Sequence, residues 1–310
     1  MLLRLSPPGE ERLLESPVLH TNFGGAEANV AVALRHLGVA ASYVTRLPEG
    51  PLGDAALDAL RAEGVDVARV IRGGSRLGLY FVEPGADLRA MRVVYDRAIS
   101  AFSQITPADV DWNTALAGAR WLHGTGITPA LGAGPSTALT DAFAAARERG
   151  VTVSLDLNYR EALWRGRDPR ALIESLARRA DVLIGNREAV RAMLGAEANG
   201  AELANRFGCG AVAITEREIL GPREHAWSAM LYDSRTRAVV RSHRHVVEVV
   251  DRVGGGDSFA AGLITALLAK QSPQDAVEFA AAAGALKLGV PGDFGRATAE
   301  EVERLVRECT

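Results

Sequence analysis

Asp251-Arg252-Val253-Gly254-Gly255-Gly256-Asp257-Ser258-Phe259-Ala260-Ala261-Gly262 is the stretch from which both fold and chemistry are read. An apolar run at 246–250 reads as a strand and an apolar helical pattern at 258–269 follows, so three glycines stand at a strand-to-helix handover. Their bare backbone lets consecutive N–H groups converge at the positive end of a helix, which makes an anion hole. Asp257 alters that reading. A carboxylate beside an anion hole repels a resident phosphate, but it suits a transferring phosphoryl group when it takes the proton of the attacking hydroxyl. The plain alternative is a helix N-cap. No Gly-Lys-Ser/Thr is present, so this is not a Walker A loop. The spacing and the acid also fit a dinucleotide fingerprint poorly.

Outward from this segment, short apolar runs at 41–45, 151–155, 182–184 and 211–214 read as strands buried on both faces. Helical patterns lie between them. Val30, Ala33, Leu34 and Leu37 recur at helical spacing over 26–37, and Gly38 supplies a stop. A second helix spans 135–149, and Asp168-Pro169 opens another with Asp as cap. The alternation predicts an α/β fold with a central, mostly parallel sheet flanked by helices and the ligand at the strands' carboxyl ends.

Two segments interrupt the alternation. Residues 5–23 show no helical stripe. Residues 77–97 carry short β-type runs around a turn at Pro84-Gly85-Ala86-Asp87. Both read as antiparallel strands outside the main sheet, either a lid over the cleft or an exposed hairpin. With no repeat or long linker, the expectation is one domain over 1–310 that includes these lid segments.

Composition excludes other classes. The chain is 48% hydrophobic and 24% charged, near the globular average, so disorder and fibrous folds are out. A net charge of −3 supplies no field for nucleic acid or anionic lipid, so a bound anion needs a local site. No apolar run is long enough to span a bilayer, and the N-terminus does not read as a signal peptide. Two cysteines, Cys209 and Cys309, make no disulfide framework and fit a reducing, cytoplasmic setting.

With those residues in view, the chain resembles the ribokinase-like carbohydrate and nucleoside kinases, whose C-terminal signature is Asp-x-x-Gly-x-Gly-Asp. Their N-terminal feature appears as Gly24-Gly25-Ala26-Glu27-Ala28-Asn29-Val30-Ala31. Gly124-Thr125-Gly126-Ile127-Thr128-Pro129, Asp156-Leu157-Asn158-Tyr159-Arg160 and Pro291-Gly292-Asp293 resemble the 2-keto-3-deoxygluconate kinases within that family. The resemblance covers nearly the whole chain and implies transfer of the ATP γ-phosphoryl to a sugar-acid hydroxyl. Asp257 would be the general base, with the amides of Gly254, Gly255 and Gly256 stabilising the transferred group. Gly24 and Gly25 would let the sugar approach the backbone, and Asn29 would bond its hydroxyls. Arg97 and Arg160 match positions that hold the carboxylate, for which paired guanidinium hydrogen bonds are suited. Tyr80, Tyr95 and Asp293 match further substrate positions. Asn158, Asn186, Thr215 and Arg217 match the nucleotide side, with Ala283 and Leu286 in the adenine region. Magnesium (Mg2+) would be held by nucleotide phosphates and water, with no protein ligand set. Apolar residues on the lid strands, Leu79 and Phe81, would be covered in a homodimer.

Three departures stand out. Asn186-Arg187-Glu188-Ala189 lacks the family's Asn-x-x-Glu. Arg252 replaces a common Thr, which weakens the case for a monovalent-cation site near Asp251. The sequence starts at Met1-Leu2-Leu3, where the family has an earlier strand and a Gly-Glu or Gly-Asp element, so most of the first strand is expected to be missing and a groove left in the core. Two other readings stay open: a kinase of a neutral sugar such as fructose or ribose, and a catalytically impaired sugar- or nucleotide-binding protein.

Overall fold

The computed structural model describes residues 1–85 and 89–309, so Ala86 and Asp87 of the expected lid turn lie outside the described residues. The chain begins with β1 (Leu2–Ser6), β2 (His20–Gly24), α1 (Ala26–His36), β3 (Thr45–Leu47), α2 (Pro51–Ala62) and β4 (Val70–Arg72). It continues with β5 (Gly78–Glu83), β6 (Arg92–Asp96), α3 (Trp112–Ala115), β7 (Trp121–Thr125), α4 (Ala133–Glu148) and β8 (Thr152–Asp156). Next come α5 (Glu161–Trp164), α6 (Arg170–Ala177), β9 (Val182–Asn186), α7 (Arg187–Leu194), α8 (Gly200–Phe207) and β10 (Ala211–Ile219). The remainder is β11 (Glu224–Asp233), β12 (Ala238–Arg241), β13 (His245–Glu248), α9 (Gly255–Leu268), α10 (Pro273–Leu288) and α11 (Ala299–Cys309).

The main sheet runs β12-β11-β10-β9-β8-β7, with β13 also paired to β11. The ladder from β7 to β10 is parallel, as the buried apolar runs predict, while β11 pairs antiparallel with β10, β12 and β13. The sheet is therefore mixed. Its parallel half is joined through helices, whereas a short turn between β10 and β11 imposes an antiparallel hairpin. Two apolar layers sandwich it. One packs Phe143, Ile173, Val190 and Leu203 against Leu155 and Val212. The other packs Val30, Phe259, Leu263 and Val277 against Ala213 and Ile184.

The run at 41–45 departs from expectation. It forms only a Ser42–Asp66 bridge, and β3, starting at Thr45, pairs with β4 in a separate two-stranded sheet. Tyr43 and Leu47 are instead buried with Leu57 and Leu60, so the apolar pattern reflects a satellite core.

The lid is present as a four-stranded sheet, β2-β1-β5-β6. β1–β2 and β5–β6 are antiparallel, and β1–β5, which joins the two hairpins, is parallel. At the β7 side of the main sheet lies a cavity of about 710 Å³, lined among others by Val30, Tyr43, Leu122, His123, Leu139 and Ile264. The Met1 amine stands at its Tyr43 wall, 3.4 Å from the hydroxyl, and burial lowers its pKa to about 6.

Candidate active site

The helix α9 starts inside the glycine run rather than after it. Gly254 is its N-cap in a left-handed conformation, φ 87°, and Gly255, Gly256 and Asp257 form the first turn. A side chain on Gly254 would strike the Asp293 carbonyl, at 2.2 Å from its Cβ. The position therefore requires glycine on both conformational and steric grounds. A Cβ on Gly256 would meet nothing within 4 Å, so the space beside Gly256 is open. The first-turn amides have no intrahelical acceptor, which is the anion hole read from the sequence.

Asp257 is buried, and Asn29 Nδ2 donates to its Oδ2 at 2.7 Å. Asn158 Nδ2 donates to Oδ1 at 3.4 Å and to Asp156 Oδ2 at 3.3 Å, while Asp156 Oδ1 accepts from the Asn158 N–H at 2.9 Å. Burial raises the Asp257 carboxyl to about 6 against the hydrogen bond from Asn29 and the attraction of Arg160. Burial and the nearby Asp257 raise Asp156 further, to about 7. An N-cap role for Asp257 is excluded, because the cap is Gly254 and the carboxylate points to Asn29 and Asn158.

The lid presents its inner row to this centre. Arg4, Tyr80 and Tyr95 are paired neighbours across β1, β5 and β6, and the two tyrosine rings stack at 5.8 Å. Arg97 is 9% exposed and its guanidinium lies 4.1 Å over the Tyr95 ring. Its Nε and Nη2 are buried without a hydrogen-bond partner. Burial depresses its pKa, and the positive charge of Arg160 adds to the effect. Arg160 is exposed and donates to the Tyr159 carbonyl. Two guanidiniums thus face each other's field, and Arg160 also feels Asp257, an arrangement that an anionic ligand would relieve.

Several expected contacts are internal instead. Asp293 is 3% exposed, its Oδ1 accepting from Arg4 at 3.1 Å and its Oδ2 from the Tyr80 hydroxyl. The space over Gly24 is filled by that same carboxylate, 2.0 Å from where a Cβ would stand. Gly24 is therefore required to admit the Asp293 carboxylate. Gly25, at φ 150°, lies against Met1, whose Cα would stand 3.2 Å from a Cβ built on Gly25. Asn29 accepts from Gly25 N–H and donates to Asp257, so its engaged ends serve the base.

On the expected nucleotide side, Asn186 at the end of β9 is paired with Thr215 in the middle of β10. Asn186 Oδ1 caps α7 through the Ala189 N–H at 2.8 Å, and its amide group stays exposed. Arg217 is held below its usual pKa by partial burial and by Arg252, with Glu188 opposing. Glu188 thus sits near the cleft one position early, while Ala189 is core. Ala283 does not reach the cleft. It is buried against α9, its Cβ 3.0 Å from a Cβ built on Gly262, and with Leu286 it lines a surface pocket of about 330 Å³ that Arg296 and Glu301 also line. The helical stripe of α10 points these two residues inward, a direction the motif alone does not contain.

Sequence reading missed Arg4, Asp156 and Glu27. Arg4 bridges Asp293 and Asp251, 2.6 Å from the latter's Oδ2. Glu27 accepts from Thr125 and Thr128 at 2.7 and 2.9 Å. A charged residue alternating with leucines in Leu2-Leu3-Arg4-Leu5 was the one available signal for Arg4.

An α/β sheet with a β lid, a helix-borne anion hole and a buried carboxylate between them is the architecture of a sugar-phosphorylating enzyme. Residues 3–296 match the pfkB family carbohydrate kinase model, and the chain belongs to that family. It is 33% identical over 310 residues to a 2-dehydro-3-deoxygalactonokinase of Haloferax volcanii, covering 99% of this chain and 94% of that protein. It is 33% identical to the 2-dehydro-3-deoxygluconokinase of Bacillus subtilis, over 91% and 85% of the two chains. The crystal structure of 2-dehydro-3-deoxygluconokinase from Thermotoga maritima superposes with a TM-score of 0.95 at 42% identity, covering 99% and 97%. Among the described residues no helix is long and apolar enough to cross a membrane.

Proposed function

We propose that this kinase transfers the γ-phosphoryl of ATP to a hydroxyl of a 2-keto-3-deoxy sugar acid, with 2-keto-3-deoxygluconate as its leading substrate. The observation that carries the substrate class is Arg97, a buried guanidinium with two unpartnered nitrogens in the field of Arg160. A carboxylate would satisfy it, and Arg160 would add a second guanidinium. A neutral sugar would leave both uncompensated. The names of the relatives support the same class, and the Haloferax relative makes the galactonate epimer the second reading.

Asp257 takes the proton from the attacking hydroxyl. Held near 6, it is ionised at neutral pH and still basic enough to accept. The amides of Gly255, Gly256 and Asp257 receive the transferring group as its charge spreads over the equatorial oxygens. Asn29 and Asn158 fix the base's orientation. Asn186, Thr215 and Arg217 line the nucleotide side. The open space beside Gly256 fits a phosphate chain, and Mg2+ bound to those phosphates would neutralise their charge. Tyr80 and Asp293 hold the lid to the site through their mutual bond, and Tyr95 carries Arg97. The apolar outer row of the lid (Leu5, Phe81 and Val94) is covered by a second copy in a homodimer. Free Cys209 and Cys309 fit a cytoplasmic setting.

The test is an ADP-release screen with ATP and Mg2+ over 2-keto-3-deoxygluconate, its galactonate epimer, fructose and ribose. Faster turnover of either sugar acid supports the proposal. Preference for fructose or ribose refutes the substrate class.

A further inference from the structure

Lys287 on α10 is a buried cation that the phosphoryl-transfer chemistry above does not use. It is 1% exposed, a degree of burial almost unknown for an unpaired lysine. Its Nζ donates to the Val290 carbonyl at 3.1 Å. Its stem runs against the start of the anion hole, with Cε 3.1 Å from the Cβ position of Gly254. Burial, with Arg4 adding to it, holds the ammonium below its usual pKa, while Asp251 and Asp293 favour the charged form. Arg4 and Lys287 thus offset Asp251 and Asp293, two cations against two carboxylates.

The same carboxylates organise the backbone that shapes the hole. Asp251 Oδ1 accepts from Val253 N–H at 3.0 Å, and its Oδ2 accepts from Gly292 N–H at 3.1 Å. The Asp293 carbonyl stands over Gly254. Segments 251–254 and 290–293 therefore meet around one internal charge cluster. An apolar side chain would fill this volume without the desolvation penalty of an ammonium. A cation behind a helix N-terminus also opposes the dipole of an empty site and favours an anion in front of it.

We infer that Lys287 is a positioning residue, a cation tethered to the fold that braces the 251–254 and 290–293 segments and holds the anion hole in its phosphate-receiving shape. It supplies from within the chain what a small monovalent cation would otherwise have to supply, so the enzyme needs none in solution. The inference rests on the kinase reading for its kinetic readout, but its structural readout is independent of it.

The experiment compares wild type with Lys287→Met, which keeps volume and loses charge, and Lys287→Ala, which opens space beside the 330 Å³ pocket lined by Ser258 and Lys287. ADP release is measured in choline chloride and in ammonium chloride at equal ionic strength. Amide hydrogen exchange is followed over 254–257. Wild type should turn over equally in the two salts. Both variants should lose about 10²-fold or more in kcat, the scale of a removed oxyanion donor, with the sugar KM little changed. Ammonium, but not choline, should recover part of the Lys287→Ala rate and its amide protection. Full kcat in Lys287→Met overturns the inference, as does a wild type that requires added ammonium. If wild type turns over none of the sugars, the kinase reading fails. Exchange then decides alone: unchanged protection at 254–257 in Lys287→Ala refutes the brace, and ammonium-reversible loss supports it.

Discussion

Asn29 and Asp257 lie 228 residues apart and meet in a buried hydrogen bond of 2.7 Å. The bond joins the first turn of α1 to the first turn of α9, so the N-terminal and C-terminal motifs converge on one carboxylate. Asn29 Oδ1 accepts from Gly25 N–H, which fixes the amide's orientation and presents Nδ2 to the base.

Asp257→Asn should abolish turnover while leaving nucleotide affinity near that of wild type. Loss of a general base costs about 10²- to 10⁴-fold, and the amide is nearly isosteric. Steady-state ADP release and nucleotide titration of the purified variant check this. Near-normal turnover would remove Asp257 from the mechanism.

The rate should follow the ionisation of the base. With Asp257 at about 6, kcat/KM should climb as pH rises through that value, because only the carboxylate accepts a proton. A profile flat from pH 5 to about 8 would contradict the assignment.

Asp156 carries the opposite stability signature to a salt-bridged acid. Its folded pKa, about 7, lies above the ordinary carboxylate value, so the fold binds its proton more tightly than the unfolded chain does. Its stabilising contribution is present at low pH and is lost as pH rises through the folded value. Asp156→Asn should therefore raise Tm at about pH 8 and change it little near pH 4. Thermal unfolding at the two pH values decides it, and a lower Tm at the higher pH would contradict the burial argument.

The arginines test the substrate class. Arg97→Ala should raise the sugar-acid KM about ten- to a hundredfold, the worth of a buried charge-assisted hydrogen bond. Arg160→Ala should cost less, since Arg160 is exposed and water screens it. The KM for ATP should hardly move. An Arg97→Ala variant with unchanged sugar-acid KM would return Arg97 to a packing role over Tyr95.

The outer lid face predicts association. Leu5, Phe81 and Val94 form a row across β1, β5 and β6, and Val94 is 37% exposed. Light scattering at micromolar concentration should report a dimer, and Phe81→Asp should shift it to monomer. A monodisperse wild-type monomer would count against the interface.

Local sequence determined the strands β8, β9 and β10, the helix α1, and the strand-to-helix turn that carries Asp257. Each depends on neighbouring residues alone: an apolar run, a 3.6-residue stripe, or glycines where side chains cannot fit. Arg97 in Val94-Tyr95-Asp96-Arg97 was marked by the resemblance to the sugar-acid kinases and by no local pattern. Only the tertiary structure decided what these groups face. The carboxylate over Gly24 comes from Asp293, and the amide on Asp257 comes from Asn29. α10 turns Ala283 inward and seals Lys287 beneath Gly254, while Arg4 crosses from the lid to two carboxylates. The pairings of Gly24, Asn29 and Arg4 join segments more than 200 residues apart, and Ala283 and Lys287 pack from one helix onto another. They follow from how sheets and helices pack, a long-range balance of burial and charge that no local pattern encodes.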